Sequence, residues 1–304
     1  MSTTTVTAAP VVRPGRRRAK RDRTLTNYLL IAPALLLSVI VVVIPGIMTA
    51  VLSFTDWSGA SFDNINFRGA QNFVEIFADP IFATSLKNNL IWLALFLTLP
   101  VIIGLATAWL LLRRGRMRTV YQVIFLMPYV LAPVVNAMVW LSIIYNPNGG
   151  VVGALGLPGP LSSLSGALYA AAAVDMWHYW GFLTIVYFGA LRQTPMEHVE
   201  AATVDGANAW QIFTNVYLPS IRSTLMLMFV MIVIFSFLAF DYIWLLTQGG
   251  PAHSSEVMGT YAYAFAFGSF QFGKAAAVGL IMSAFGLVAS IVYTVMSRRQ
   301  LSQR

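Results

Sequence analysis

Asn88-Asn-Leu-Ile-Trp-Leu-Ala-Leu-Phe-Leu-Thr-Leu-Pro-Val-Ile-Ile-Gly-Leu-Ala-Thr-Ala-Trp-Leu-Leu-Leu112 runs for twenty-five residues without a charge, between Lys87 and Arg113. A helix that crosses the hydrocarbon core of a bilayer needs about 20 mostly apolar residues, so this stretch holds one crossing. The rest of the chain repeats the pattern. Thirty-two uncharged residues separate Arg23 from Asp56, and twenty-three separate Lys274 from Arg298. Over all 304 residues, 58% are hydrophobic and 10% charged, against roughly 25% charged in an ordinary soluble domain. A soluble protein would have to expose that apolar excess in patches far larger than monomers tolerate. Aromatic content of 13% and long uncharged runs also exclude a disordered chain or a coiled coil. The absence of cysteine excludes disulfides, thiol catalysis and thiolate metal sites.

The fifty-six uncharged residues between Arg118 and Asp175 are too many for one crossing. They are interrupted by Asn146-Pro-Asn-Gly-Gly150 and Gly156-Leu-Pro-Gly-Pro160, turn signals that do not lie in lipid. The pattern therefore predicts an all-α integral membrane protein with six transmembrane helices, at 28–53, 88–112, 120–145, 168–190, 223–247 and 275–297. The first apolar segment is too long for a signal peptide and no small-residue cleavage site follows it, so it is expected to stay as a span kinked at Pro33 and Pro45.

Charge sets the orientation. Of nineteen Lys and Arg residues, sixteen fall on one side of this map: seven from Arg13 to Arg23, four from Arg113 to Arg118, then Arg192, Arg222, Arg298, Arg299 and Arg304. The positive-inside rule places both termini in the cytoplasm. Residues 1–27 read as a basic cytoplasmic tail that touches anionic lipid, and residues 298–304 as a second tail. A nucleic-acid arm is the other reading of the basic cluster, but no stacking platform or folded basic domain accompanies it, so no nucleic acid is expected as a partner. The first outer loop, residues 54–85, is acidic and aromatic, with Asp56, Trp57, Asp63, Phe67, Phe73, Glu75 and Asp79, and is expected to face something outside the membrane.

One inner loop, 191–222, is long and patterned. Thr194 suits an N-cap, Pro195 the first helical position and Glu197 the third, which predicts a capping box and a short helix. Gly206 supplies a tight turn, and Pro219 stops the second helical piece. Ala201 and Ala202 let another surface approach the backbone, with Glu200 and Asp205 beside them. Such a helix fits a cleft on a partner. A connector lying on the bilayer is the competing reading, although interfacial helices are usually basic and this one is neutral to acidic.

Glu200-Ala-Ala-x-x-Asp-Gly-Ala207, followed by Phe213 and Leu218-Pro219, resembles the loop motif of permease subunits of binding-protein-dependent ABC importers. Val216 stands where isoleucine is more usual. Asn72-Phe73, Asn88-Asn89, Gly104-Leu105-Ala106 and Leu246-Thr-Gln-Gly-Gly-Pro251 resemble the carbohydrate-uptake branch, most of all the first membrane subunit of maltose and glycerol-phosphate importers. The resemblance covers about residues 28–297, a single permease domain. It implies the type I ABC importer permease fold in a bacterial cytoplasmic membrane. It implies as partners a second permease in a heterodimer, an ATPase dimer and an extracytoplasmic solute-binding protein, with a sugar as cargo. The loop would be the coupling helix, with Glu200, Ala201, Ala202, Asp205, Gly206 and Ala207 against the ATPase. Segment 146–166 is too short to match the large periplasmic insertion of the maltose subunit. The chain holds no phosphate-binding loop, so it is expected not to be an enzyme and to bind no cofactor, ATP and Mg being used by the partner ATPase.

Ionisable residues at membrane depth face protein or water and mark function. Asp175 and Asp241 are the two here. Asp175, His178, Tyr179 and Phe182 share one helical face at i, i+3, i+4 and i+7, a polar and aromatic stripe suited to sugar hydroxyls and ring faces. The alternative is an Asp175–His178 pair, or a place for Asp175 at the outer interface beside Trp177 and Trp180. Counting from Pro195 and from the Gly-Gly-Pro motif, the resemblance places Asp175, His178, Tyr179, Phe182, Phe235 and Ser236 at sugar-contacting positions. Asn136 reads as an interhelical hydrogen-bond donor.

Two other classes compete. An intramembrane hydrolase built on Asp175 and Asp241 lacks the Gly-x-Gly-Asp setting of aspartyl members and the Gly-x-Ser-Gly of serine members. A stand-alone secondary carrier is expected to show an internal repeat, which is not evident between 28–145 and 168–297, and has no use for the patterned inner loop.

Overall fold

The computed structural model describes residues 28–59, 65–113 and 115–301; the basic tail 1–27 and Asp63 of the outer loop lie outside them. Every element is helical, and among the described residues extended pairing is limited to a bridge between Thr55 and Phe67. Ala50 onward forms one compact unit and the chain before it another. The first unit carries most of α1 (Tyr28–Leu52), whose most apolar window has no buried residue. A helix apolar on every side is one made for lipid or for another membrane helix. A π-helical turn at Val39–Val43, just before Pro45, adjusts it.

In the second unit, α2 (Gln71–Ala78) lies along the outer segment and α3 (Pro80–Leu112) follows at once. Asp79 caps α3 by accepting from the Ile81 N–H at 2.8 Å, with Pro80 at the first helical position. The helix thus starts well before Asn88 and is roughly 50 Å long at 1.5 Å per residue. Its partner is α6 (Ala167–Leu191), the most deeply packed helix of the bundle. Gly104 lets the two backbones meet: a Cβ there would lie 2.9 Å from the Leu183 Cβ. Thr107 and Thr184 share a 2.7 Å hydrogen bond one turn along, and Ala108 is fully buried. Lipid offers no hydrophobic drive for such a pairing, so small residues and interhelical hydrogen bonds supply it. On its other face Gly181 accommodates the Phe125 carbonyl of α4 (Arg118–Val130), which any Cβ would strike.

Two expected spans are broken. The third is α4 plus α5 (Pro133–Ile144), bent by 96° at Leu131–Ala132. Pro133 removes a donor and keeps Ala132 extended, at ψ 142°. The fifth consists of α9 (Arg222–Phe237) and α10 (Asp241–Leu246), separated by Leu238–Phe240 rather than continuous over 223–247. After the Thr247–Pro251 turn come α11 (Met258–Tyr263) and α12 (Phe272–Leu301). By length and apolarity alone, three described helices can cross a membrane, α1, α3 and α12, or up to five if the bent pairs α4–α5 and Ala209–Ser220 with α9, the latter bent by 71°, each count as one. Helix α6 fails that measure although it is 25 residues long, because Asp175, His178 and the Trp and Tyr residues around them lower its mean hydropathy.

The described acids of residues 54–85 are engaged within the chain. Asp56 accepts from Asn66 at 2.7 and 3.0 Å, Asp79 accepts from the Tyr261 hydroxyl at 2.7 Å, and Glu75 bridges Arg68 at 2.8 Å and Lys274 at 2.9 Å. Apolar Phe67, Val74 and Phe77 remain exposed there. The Lys274 and Gln71 donors hold the Glu75 carboxyl at about 2, below its ordinary 4.5. A depressed carboxylate stabilises the fold above pH 4.5, and that contribution is lost as pH falls toward 2. Glu75→Gln is therefore expected to lower the thermal midpoint at neutral pH, modestly because the side chain is 31% exposed. In a thermal-unfolding series the gap to wild type closes below pH 4.5.

Candidate functional site

Four elements, α3, α5, α6 and the broken α9–α10 segment, together with the end of α4, enclose a cavity of about 230 Å³. Its wall is aromatic and polar: Trp92 and Phe96 from α3, Tyr129 from α4, Pro133 from α5, Asp175, His178 and Tyr179 from α6, and Phe235, Ser236 and residues 238–242 around the break. Five of the six sugar-contact residues expected from the sequence, all but Phe182, come together here, with Asp241. Phe182 stands behind the wall and stacks on Tyr129, centroids 4.7 Å apart and planes 18° apart. Asp175 is not paired with His178. The His178 Nδ1 lies 2.9 Å from the Pro128 carbonyl and 2.9 Å from the Asn136 amide. Asn136 also donates to Pro128 O at 2.9 Å and to Tyr242 Oη at 3.2 Å, making it the interhelical donor its position suggested.

Two wall atoms have no hydrogen-bond partner among the described residues: the Tyr179 hydroxyl and the Ser236 Oγ, on residues 8% and 2% exposed. Such groups cost free energy when buried unpaired, so two of them on residues that line a cavity suit a ligand with hydroxyls of its own.

Asparagine amides hold the broken segment in place. Asn89 donates to Ser236 O at 2.7 Å and accepts from Met258 N–H at 2.8 Å, while Asn88 donates to Ser254 O and Glu256 O at 3.0 and 2.8 Å. The Gly-Gly-Pro turn is fixed by Thr247 and Ser255, whose hydroxyls share a 2.8 Å bond, Ser255 also donating to Gly250 O.

The loop 191–222 forms α7 (Met196–Val204), a turn, and α8 (Ala209–Ser220). The turn is made by Gly206 at φ +80°, a left-handed conformation that glycine adopts without strain. No residue of α7 is buried: Glu200, Ala201, Asp205 and Gly206 are exposed, Ala202 and Ala207 half-buried, and Val204 is 86% exposed. The expected capping box at Thr194 is not formed. Pro195 is itself the N-cap, with no side-chain cap bond, because the Thr194 hydroxyl is engaged at 2.6 Å by Ser220 and ties the two ends of the loop together. The capping box lies instead on α8, between Asn208 and Gln211 at 2.7 and 2.9 Å. Trp109 at the end of α3 anchors the loop through Trp210 and Phe213, at 6.2 and 4.8 Å, with the Arg113 guanidinium over Trp109 at 4.7 Å.

Residues 73–302 match the family model described as the binding-protein-dependent transport system inner membrane component. The chain belongs to this family. As an inner membrane component it is 32% identical over 273 residues to a probable ABC transporter permease protein of Pyrococcus horikoshii, covering 87% of this chain and 93% of that protein. It is 31% identical over 303 residues to the diacetylchitobiose uptake system permease protein of Streptomyces coelicolor, covering 93% and 85%. Its fold matches the crystal structure of a bacterial ABC transporter involved in the import of the acidic polysaccharide alginate, with a TM-score of 0.80 at 24% identity, covering 94% of this chain and 99% of that one. The type I ABC importer permease fold expected from the sequence is the fold found.

Sequence reasoning missed Trp92, Phe96, Tyr129 and Tyr242 as wall residues, since an aromatic inside an apolar run carries no sign of which helix it will face. It missed Trp109 as the loop's anchor for the same reason. The Asn208–Gln211 cap was legible, being a polar pair at the right spacing before an apolar run.

Proposed function

We propose that this chain is one permease half of an ATP-driven sugar importer, crossing the bacterial cytoplasmic membrane six times with both termini in the cytoplasm. The broken pairs α4–α5 and α9–α10 each count as one span, and α6 as the fourth. Its partners are a second permease, an ATPase dimer that uses ATP and Mg, and an extracytoplasmic solute-binding protein that delivers the sugar. Residues 28–297 form the permease domain. The observation that carries the sugar reading is the aromatic cavity lined by Tyr179 and Ser236, whose buried hydroxyls have no partner among the described residues. Aromatic faces pack on sugar rings and hydroxyls discriminate their edges. The named substrate of the Streptomyces relative, diacetylchitobiose, supports a di- or oligosaccharide.

The mechanism follows from connectivity. Helix α7, with Glu200, Ala201, Ala202, Asp205, Gly206 and Ala207, is the exposed element that docks on the ATPase. The loop that carries it continues directly into α6 on one side and α9 on the other. Asp175, His178 and Tyr179 stand about 20 Å along α6 from the loop, and Phe235 and Ser236 about 20 Å along α9, at 1.5 Å per residue. The Thr194–Ser220 bond closes the loop base, so closure of the ATPases moves α6 and α9 together and changes the access of the cavity between them.

Two experiments test this reading in proteoliposomes that carry the complete complex and its binding protein. Tyr179→Phe and Ser236→Ala raise the KM for sugar uptake by roughly 5- to 10-fold each, the loss of about one hydrogen bond, with the subunits still co-purifying; unchanged KM removes the cavity from the sugar path. Gly206→Pro cannot adopt φ +80° and lowers ATP-driven uptake by roughly tenfold or more, within the usual range of coupling energies. Wild-type uptake by that variant contradicts the docking role of α7.

A further inference from the structure

The cavity wall carries two carboxylates, Asp175 and Asp241, and among the described residues neither lysine nor arginine lines it. The ion pairs found within the described residues lie elsewhere, on Glu75 and Glu256. His178 makes no ion-pair contact with either of them among the described residues, its Nδ1 being engaged by the Pro128 carbonyl and the Asn136 amide. Asp175 is half-buried and Asp241 is exposed in the first turn of α10; a carboxylate without a counter-ion in a membrane helix is kept where it has a task. Around the pair stand Phe235, Phe240, Tyr129 and Tyr242, whose ring faces attract cations. Beside them are the unpartnered Tyr179 and Ser236 hydroxyls, both more than nine-tenths buried. Carboxylates, aromatic faces and free hydroxyls in one cavity are the components of an ammonium site on a hydroxylated ligand.

We propose that the cavity selects a sugar bearing a free amino group, which it holds as the ammonium ion between Asp175 and Asp241. This rests on the sugar-importer reading above and narrows its substrate class. The same charge balance turns away glycans carrying carboxylate or phosphate groups, so the likeness of fold to an alginate importer does not extend to its acidic ligand.

The test is direct binding to the purified complex in nanodiscs, with the binding protein left out so that its selectivity does not mask that of the cavity. The probes are the radiolabelled disaccharide of glucosamine and its N-acetylated, uncharged form, compared by equilibrium dialysis below the pKa of the amine. The wild-type complex binds the amino disaccharide about tenfold more tightly than the acetylated one, the worth of one well-placed charge contact. In Asp175→Asn and Asp241→Asn, variants of the same shape, that preference falls to about twofold or less while the complex still co-purifies. Equal binding of both sugars by wild type, or a preference unchanged in both variants, overturns the proposal and leaves the sugar reading in place. If neither sugar binds and the Tyr179→Phe and Ser236→Ala variants also take up sugar normally, both readings fall.

Discussion

A chain that crosses lipid has to pair every backbone polar group within itself, because no water is there to do so. This fold breaks its helices where a cavity is needed and meets that constraint with asparagine. Four of them are buried, at 0 to 4% exposure: Asn72, Asn88, Asn89 and Asn136. Each donates to a carbonyl at an interruption in the helices. Asn72 takes Ser53 O and Thr55 O after α1, Asn88 takes Ser254 O and Glu256 O, Asn89 takes Ser236 O, and Asn136 takes Pro128 O. The short amide is suited to this, since it carries two donors and an acceptor with few rotors to immobilise. The cavity depends on it. Ser236 gives its carbonyl to Asn89 and lines the cavity, and Asn136 orients His178 and Tyr242 in the same wall.

The helices around the breaks are held by a different means. Gly104 and Gly181 remove side chains where α6 meets α3 and α4, and the Thr107–Thr184 bond fixes the level at which α3 and α6 meet. Below that contact the Trp109, Trp210 and Phe213 cluster ties the inner loop to α3. The result is a closely packed α3–α6 pair with an exposed helix at one end and a cavity farther along it.

The sequence made the solvent of this protein plain, because charge-free runs of 23 to 32 residues have no other home than lipid. It made the loop plain as well, through the Gly206 turn and the motif around it. It did not reveal the broken spans. The spans 120–145 and 223–247 read as continuous, and only the partners of the freed carbonyls, 147 residues away in sequence for Asn89 and Ser236, show where the chain turns. The stripe on α6 was legible as a stripe, but periodicity does not say what stands opposite. Phe182 shares the face of Tyr179 and still ends behind Tyr129, outside the cavity. Thr194 has the chemistry of an N-cap and gives its hydroxyl to Ser220, a tertiary partner that local pattern cannot see.

The central claim is that buried amides hold the broken fifth span open around the cavity. The most direct measurement is the thermal midpoint of the Asn89→Leu complex in nanodiscs, read together with hydrogen exchange at the Met258 amide. Leucine keeps the branching and heavy-atom count of the side chain and removes both hydrogen bonds, so the account predicts a loss of about 2–4 kcal/mol, from two buried backbone groups left unpaired, and rapid exchange at Met258. A variant as stable as wild type, with Met258 still protected, would contradict it.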